Sequence, residues 1–246
     1  MENSAKAYSI ICPDNKGPFF FTAEHASNRI PVKISKSDGQ FLNTHWAYDI
    51  GIAPLIQQLC QKLSCSGVQT EYSRLWIDAN RAPNQDGLIK TSIEGKHLSF
   101  NQRITPAEKD FRIQSFHEKY HNTISEELRK HNRSPILISL HSFTPIWNNQ
   151  IRTMDIGVLF DRDEDLAYAV AKRIEDEGFF VAMNKPYSGK NGLIYAADRH
   201  GNQENIPYVE FEFNQSILCT PKRISFVADR MAMVLKKLNQ EYLQFL

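Results

Sequence analysis

The segment ILISLHSFTP spans residues 136–145, and its first five residues are almost unbroken in apolar types. A strand with one wet face alternates apolar and polar residues. A continuous apolar run of this length is instead covered on both faces, as inside a parallel sheet flanked by helices. Outward from it, short segments of strand character alternate with longer segments of 3.6-residue period. Strands are expected at 8–12, 19–23, 68–72, 75–77, 156–160, 179–182 and 208–213. A helix over 54–63 carries Leu55, Ile56, Leu59 and Leu63 on one stripe. A second starts at Thr105, with Pro106 in its first turn and Glu108 completing a capping box. Its stripe is Ile113, Phe116, Tyr120, Ile124 and Leu128. A third covers 166–177. A fourth starts at Thr220-Pro221 and carries Ile224, Val227, Met231, Val234, Leu238 and Tyr242. This alternation predicts a single α/β domain over residues 1–246, with a mixed, mostly parallel sheet flanked by helices.

Composition narrows the function. The chain has 246 residues, 41% hydrophobic and 23% charged, with 29 basic and 28 acidic side chains and a net charge of +1. That balance argues against nucleic acid as a partner, which calls for a basic excess. Mean hydropathy is −0.44, and no apolar run approaches the ~18 residues of a membrane span. The opening MENSAKAYSIICPDN lacks the basic-then-apolar pattern of a secretory signal, so a cytoplasmic location is expected. Cys12, Cys60, Cys65 and Cys219 have no metal-ligand spacing and read as reduced thiols.

In open α/β sheets, ligands sit beyond the carboxyl ends of the strands. Glu24 and His25 follow the 19–23 strand, and His141 and Ser142 follow 136–140. Two histidines at neighbouring strand ends could hold a catalytic metal with a carboxylate, or each could cap a helix or satisfy a loop. HWAYDIG at 45–51 supplies Asp49, a metal ligand or the N-cap of the following helix. SRLWIDANR at 73–81 supplies Arg74, Asp78, Asn80 and Arg81, either a grip on a substrate carboxylate or a surface ion pair. In YVEFEF, Glu210 and Glu212 share the face opposite the aromatics. Glu212, nearer the strand end, is the better candidate for a general base. His117, His121 and His131 read as a solvated helix face, and His97 carries no signal. Residues 184–201 read as a loop or hairpin, with Tyr187, Ser188, Arg199 and His200 as polar candidates. No Walker, dinucleotide-binding or nucleophile-elbow motif occurs.

The ordered set EHASNRIP, HWAYDIG, SRLWIDANR, LHSFTP, DIGVLFDRD, NKPYSG, RHG and EFEFNQ, from residue 24 to residue 215, resembles the N-formylglutamate amidohydrolase family. More distantly, HASNRIP followed by DANR is similar to the zinc carboxypeptidase and aspartoacylase arrangement of HxxE, an Asn-Arg pair, a lone His and a Glu base. The resemblance implies a zinc-dependent-exopeptidase-like fold, a zinc cofactor and hydrolysis of a small acidic N-acyl amino acid. It also implies that His25 and His141 are metal ligands, that Asn80 and Arg81 hold the substrate carboxylate, and that Glu212 is the general base. The chain departs from the pattern at Asn28, which stands where HxxE has its Glu. An amide is a poor zinc ligand, so Asp49, or else Glu24, must complete the set. A second departure is Asn214, where relatives carry Arg. A dicarboxylate substrate needs one more basic contact, from Arg74, Arg199 or His200. The two departures also admit a non-catalytic ligand-binding domain of the same fold, and the machinery would serve a deacylase or peptidase of another acidic substrate. The sequence leaves the oligomeric state open.

Overall fold

The computed structural model of the chain describes residues 6–242, with side chains described through residue 240. Residues 1–5 of the opening segment and the Tyr242 side chain lie outside the described residues.

In chain order the elements begin with β1 (Tyr8–Ile11), β2 (Phe19–Ala23), α1 (Lys36–Gly39), α2 (Ile52–Leu63) and β3 (Ser66–Thr70). A small hairpin, β4 (Ser92–Ile93) and β5 (Lys96–His97), precedes α3 (Pro106–Arg112) and α4 (Glu118–Leu128). Then come β6 (Ile136–Phe143), a second small hairpin of β7 (Ile146–Trp147) and β8 (Gln150–Ile151), and β9 (Ile156–Leu159). The last elements are α5 (Glu164–Asp176), β10 (Val181–Met183), α6 (Tyr195–Gln203), β11 (Tyr208–Asn214) and α7 (Pro221–Tyr242).

Seven strands form one sheet in the order β1-β3-β2-β6-β11-β9-β10. The central four, β3, β2, β6 and β11, run parallel. β1 is antiparallel to β3, and β9 is antiparallel to β11 but parallel to β10. The sheet is therefore mixed and mostly parallel, as the sequence implies. Every residue of β2, β6 and β11 is buried. One face packs on α2, α5 and α7, through side chains such as Leu55, Val170 and Met231. The other packs on α4 and α6, through Tyr120, Ile124 and Ala197.

The structure differs from the sequence reading in several places. No strand forms over 75–77, and Arg74–Trp76 make a turn: Ser73 Oγ accepts from Leu75 N at 3.1 Å, and Trp76 N donates to Ser73 O at 2.9 Å. Leu75, Trp76 and Ile77 are buried all the same, which gives a turn the apolar look of a strand. The helix opening at Thr105 does take its cap from the Thr105 side chain, which accepts from Glu108 N. It continues into α4 through a single π turn, Ile113–His117. Gly51, at φ 90°, holds the N-cap position of α2, so Asp49 is not its cap. Residues 195–203 of the expected loop are helical. The donor at the α6 N-terminus is satisfied from a distant loop, where Asn80 Oδ1 accepts from Ala196 N at 2.9 Å.

The loop between β3 and α3 carries much of the polar chemistry, and a buried arginine fixes it. Arg112 lies 3.4 Å from the centre of the Trp76 ring. It donates to Trp76 O at 3.0 Å and to Phe100 O at 2.9 Å.

Candidate active site

The carboxyl ends of β2, β6 and β11 meet at one cavity of about 340 Å³. Register places Glu212 beside His141 across the β11–β6 pair, so both project from the same face of the sheet. His141 lies within β6, which runs three residues beyond the expected end at 140. His25 enters directly after β2. Asp49 comes from the segment ahead of α2, and Asp78, Asn80 and Arg81 come from the loop after β3.

His25, Asp49 and His141 are all buried, and one donor atom from each lies within 4.8 Å of the other two. Behind each histidine stands a carboxylate. His25 Nε2–H donates to Asp78 Oδ1 at 2.7 Å. His141 Nε2–H donates to Glu24 Oε2 at 3.0 Å. The opposite nitrogens face Asp49 Oδ2, His141 Nδ1 at 2.9 Å and His25 Nδ1 at 3.4 Å. His25 Nδ1 has no hydrogen-bond partner among the described residues, although it is buried. An orphaned imidazole nitrogen aimed at a carboxylate, with its other nitrogen pinned, is the arrangement of a metal-ligating histidine. Two imidazoles and a carboxylate suit zinc and its divalent neighbours. The residues present therefore fit a metal.

Glu24 answers to two opposed forces. Burial pushes its pKa up, but hydrogen bonds from His141, Ser139 and Tyr120 win and hold it down to about 2. Ser139 Oγ and Tyr120 OH donate to it at 2.7 and 2.8 Å. Burial also opposes the charge on Asp78, yet Arg74 and His25 beside it keep its pKa well below the usual range. Burial disfavours a charged His141, but Glu210, Asp49 and Glu24 hold its pKa well above the imidazole range. Glu210 and Glu212 also feel the His141 charge, but without the hydrogen-bond donors that Glu24 has, burial prevails. Burial lifts Glu210 to about 7 and Glu212 well above the carboxylate range. Each has an Oε2 with no hydrogen-bond partner among the described residues. A buried carboxyl whose pKa is raised toward neutrality is equipped for proton transfer.

Of the residues singled out in the sequence, His25, Asp49, Arg74, Asn80, Arg81, His141 and Glu212 line the cavity. Glu24 stands behind His141. Asn28 lies apart, its Nδ2 donating to Asn43 Oδ1 at 3.1 Å. Asn214 closes a turn, its Nδ2 donating to Arg152 O at 3.1 Å and Met154 O at 3.0 Å. Neither departure from the family pattern falls in the donor cluster. Arg199 and His200 are not brought to the cavity. Arg199 donates to Glu118 at 3.0 and 3.3 Å. His200 is fully buried, with His121 Nδ1 2.9 Å from its Nε2. His117 and His121 are also buried rather than solvated, because α6 covers that flank of α4. Their Nε2–H groups donate to Arg81 O at 2.8 Å and Ala79 O at 3.0 Å, on either side of Asn80.

Sequence reasoning missed Trp46, Lys90 and Trp147 in the lining. Trp46 lies inside a quoted motif, and Trp147 stands in a polar stretch where a tryptophan has no obvious packing role. Lys90 gives no signal. Burial and the nearby Arg74 and Arg81 lower its pKa, so three cations share this side of the cavity.

Two histidines at parallel strand ends and an aspartate from the segment ahead of α2, beside buried glutamates and facing a group of cations, define a hydrolase-type centre on an α/β scaffold. The chain belongs to the N-formylglutamate amidohydrolase family, a family of amide-cleaving hydrolases, whose model matches residues 17–219. Among solved structures it is similar to gene product Atu2144 from Agrobacterium tumefaciens, at 25% identity and a TM-score of 0.85, over 95% of this chain and 96% of that one. It shares its fold with N-formylglutamate amidohydrolase from Ralstonia eutropha JMP134, at 15% identity and a TM-score of 0.75, over 97% of this chain and 99% of that one. No curated protein matches the chain. Among the described residues, no helix is long and apolar enough to cross a membrane.

Proposed function

We propose that the chain is a zinc-dependent cytoplasmic amidohydrolase. Its substrate is a small acidic N-acyl amino acid, with N-formyl-L-glutamate as the reference compound, and neither nucleic acid nor membrane is a partner. The observation that carries the reading is the buried donor cluster of His25, Asp49 and His141, with Glu212 on the same cavity wall. When bound there, a divalent cation supplies a Lewis acid that acidifies water and polarises an acyl carbonyl.

The remaining work falls to the protein. Asp78 and Glu24 fix the orientation of the two imidazoles by accepting hydrogen bonds from their Nε2–H groups. Glu212 accepts the proton of the attacking water as the oxygen–carbon bond forms. It then returns that proton to the leaving amine as the carbon–nitrogen bond breaks. Arg81 and Asn80 hold the α-carboxylate, which fixes the amide over the donor cluster. Lys90 receives the second carboxylate of a dicarboxylate substrate. Arg74, 3.0 Å from Asp78, faces the charge that develops on the acyl oxygen.

The test is elemental analysis of tag-free protein purified without chelator, beside a His25→Ala variant, followed by a panel of N-formyl and N-acetyl amino acids. The expected result is near-stoichiometric zinc, lost in the variant, with release of amine from N-formyl-L-glutamate. A protein that takes up no zinc even when it is supplied would be a ligand-binding domain instead.

A further inference from the structure

The cations and the donor cluster leave part of the cavity lining unused. That part is aromatic and comes from other segments of the chain. Phe143 and Trp147 extend from β6 into the β7–β8 hairpin, Tyr187 and Leu193 come from the segment before α6, and Trp46 precedes α2. Trp147, Tyr187 and Leu193 remain 39%, 40% and 41% exposed. The Trp46 and Trp147 rings lie 5.9 Å apart at 62°. The Arg152 guanidinium binds the group together, 5.5 Å from the Phe143 ring, 5.6 Å from Trp147 and 5.7 Å from Tyr187. The Trp46, Trp147 and Tyr187 rings thus form one aromatic side of the cavity, with the buried Phe143 beside them and Arg152 holding the group from outside the lining.

A formyl group is a single carbon and cannot cover such a wall. Lys90 Nζ lies 5.8 Å from the centre of the Trp46 ring, so Trp46 borders the amino-acid side; with the amide at the donor cluster and the amino-acid carboxylates on Arg81 and Lys90, the acyl end is the part of the substrate left to meet Trp147, Tyr187 and Phe143. Half-exposed rings gain when an apolar ligand displaces their water, and flat π systems pack best on another flat π system. We propose that this wall is an acyl-binding subsite, and that the chain selects N-acyl amino acids with an aryl acyl group over N-formyl ones. The proposal rests on the amide-hydrolysing reading for the direction in which the substrate lies.

The test compares N-benzoyl-L-glutamate with N-formyl-L-glutamate on the zinc-loaded full chain. kcat/KM is measured for turnover, and Kd by calorimetry on the zinc-loaded Glu212→Gln variant. Each is repeated with Trp147→Ala and Trp147→Phe. Trp147 sits on a two-residue strand at the surface, so these changes leave the core intact. The expected result is a benzoyl preference of at least about tenfold. Trp147→Ala reduces it to within about threefold, and Trp147→Phe retains most of it. Benzoyl binding no tighter than formyl, or a preference that Trp147→Ala leaves intact, overturns the proposal. If N-formyl-L-glutamate is hydrolysed without any benzoyl preference, the hydrolase reading stands and the aryl subsite falls. If neither compound is hydrolysed but the Kd preference and its loss appear, the subsite stands and the hydrolytic reading falls.

Discussion

Replacing His200 by glutamine should make the protein more resistant to acid. His200, on α6, is fully buried against α4, its Nε2–H donating to His121 Nδ1 at 2.9 Å and Ser125 Oγ 3.3 Å from its Nδ1. His121 passes its own Nε2–H to Ala79 O at 3.0 Å. The chain of donors is complete with neutral rings, so an added proton has no place in it. Burial, and then the Arg199 charge nearby, hold the His200 pKa down to about 3. In the unfolded chain a histidine titrates near 6.5. Between those values the unfolded state binds a proton that the folded state refuses. Stability is therefore fully present above about pH 6.5 and is lost as the pH falls toward about 3. At pH 5 this one group costs about 2 kcal/mol relative to pH 8, and about 5 kcal/mol once the folded state is protonated too. Glutamine keeps an N–H donor for His121 but does not titrate. The assay is urea unfolding at pH 8 and pH 5 on chelator-treated protein, so that acid release of a cation does not contribute. Wild type should lose about 2 kcal/mol more between the two pH values than His200→Gln does. Equal losses in both proteins would refute the assignment of a buried neutral His200.

Three further outcomes are expected. Glu212→Gln should keep its zinc and its Tm but lose kcat by roughly 10²–10⁴-fold, and near-wild-type turnover would remove Glu212 from the chemistry. Arg81→Lys should raise KM by about tenfold or more with a smaller effect on kcat, since an ammonium cannot grip a carboxylate with two parallel hydrogen bonds; an unchanged KM would move the anchor elsewhere. In Gly157→Ala, the new Cβ would stand 1.9 Å from Lys185 O, with the Glu212 Cβ 3.3 Å away. The backbone of β9 or of the segment after β10 must move, at a cost of roughly 2–4 kcal/mol read as a lower Tm, and a Tm equal to wild type would contradict that close approach.

The sheet was legible because its central strands are buried on both faces and therefore write unbroken apolar runs, as in 136–140. The same logic failed at 75–77, where Leu75, Trp76 and Ile77 fill the core from a turn made by the Ser73 hydroxyl. α6 was hidden because its N-terminal partner, Asn80, lies in a loop far away in sequence. Without α6, nothing in the sequence separates His117 and His121 from a wet helix face or keeps Arg199 and His200 from the site. His25, His141 and Glu212 stand out in the sequence because each lies at the end of a buried strand, and the fold brings all three to one cavity. The pairing of His25 with Asp78 could not, because only a distance distinguishes a supporting carboxylate from a surface ion pair.

Asp78 serves two masters. Its Oδ1 takes the Nε2–H of His25 and the backbone N–H of Asn80. Its Oδ2 takes Arg74 at 3.0 Å and lies 3.4 Å from Arg81. The groups proposed to hold the cation and those proposed to hold the substrate thus hang from a single carboxylate. Linkage between the two ligands follows, and linkage is reciprocal: whatever factor the cation contributes to substrate affinity, the substrate returns to cation affinity. A saturating substrate analogue would then slow the escape of zinc to a chelator, and a partly loaded preparation would lose affinity as well as turnover.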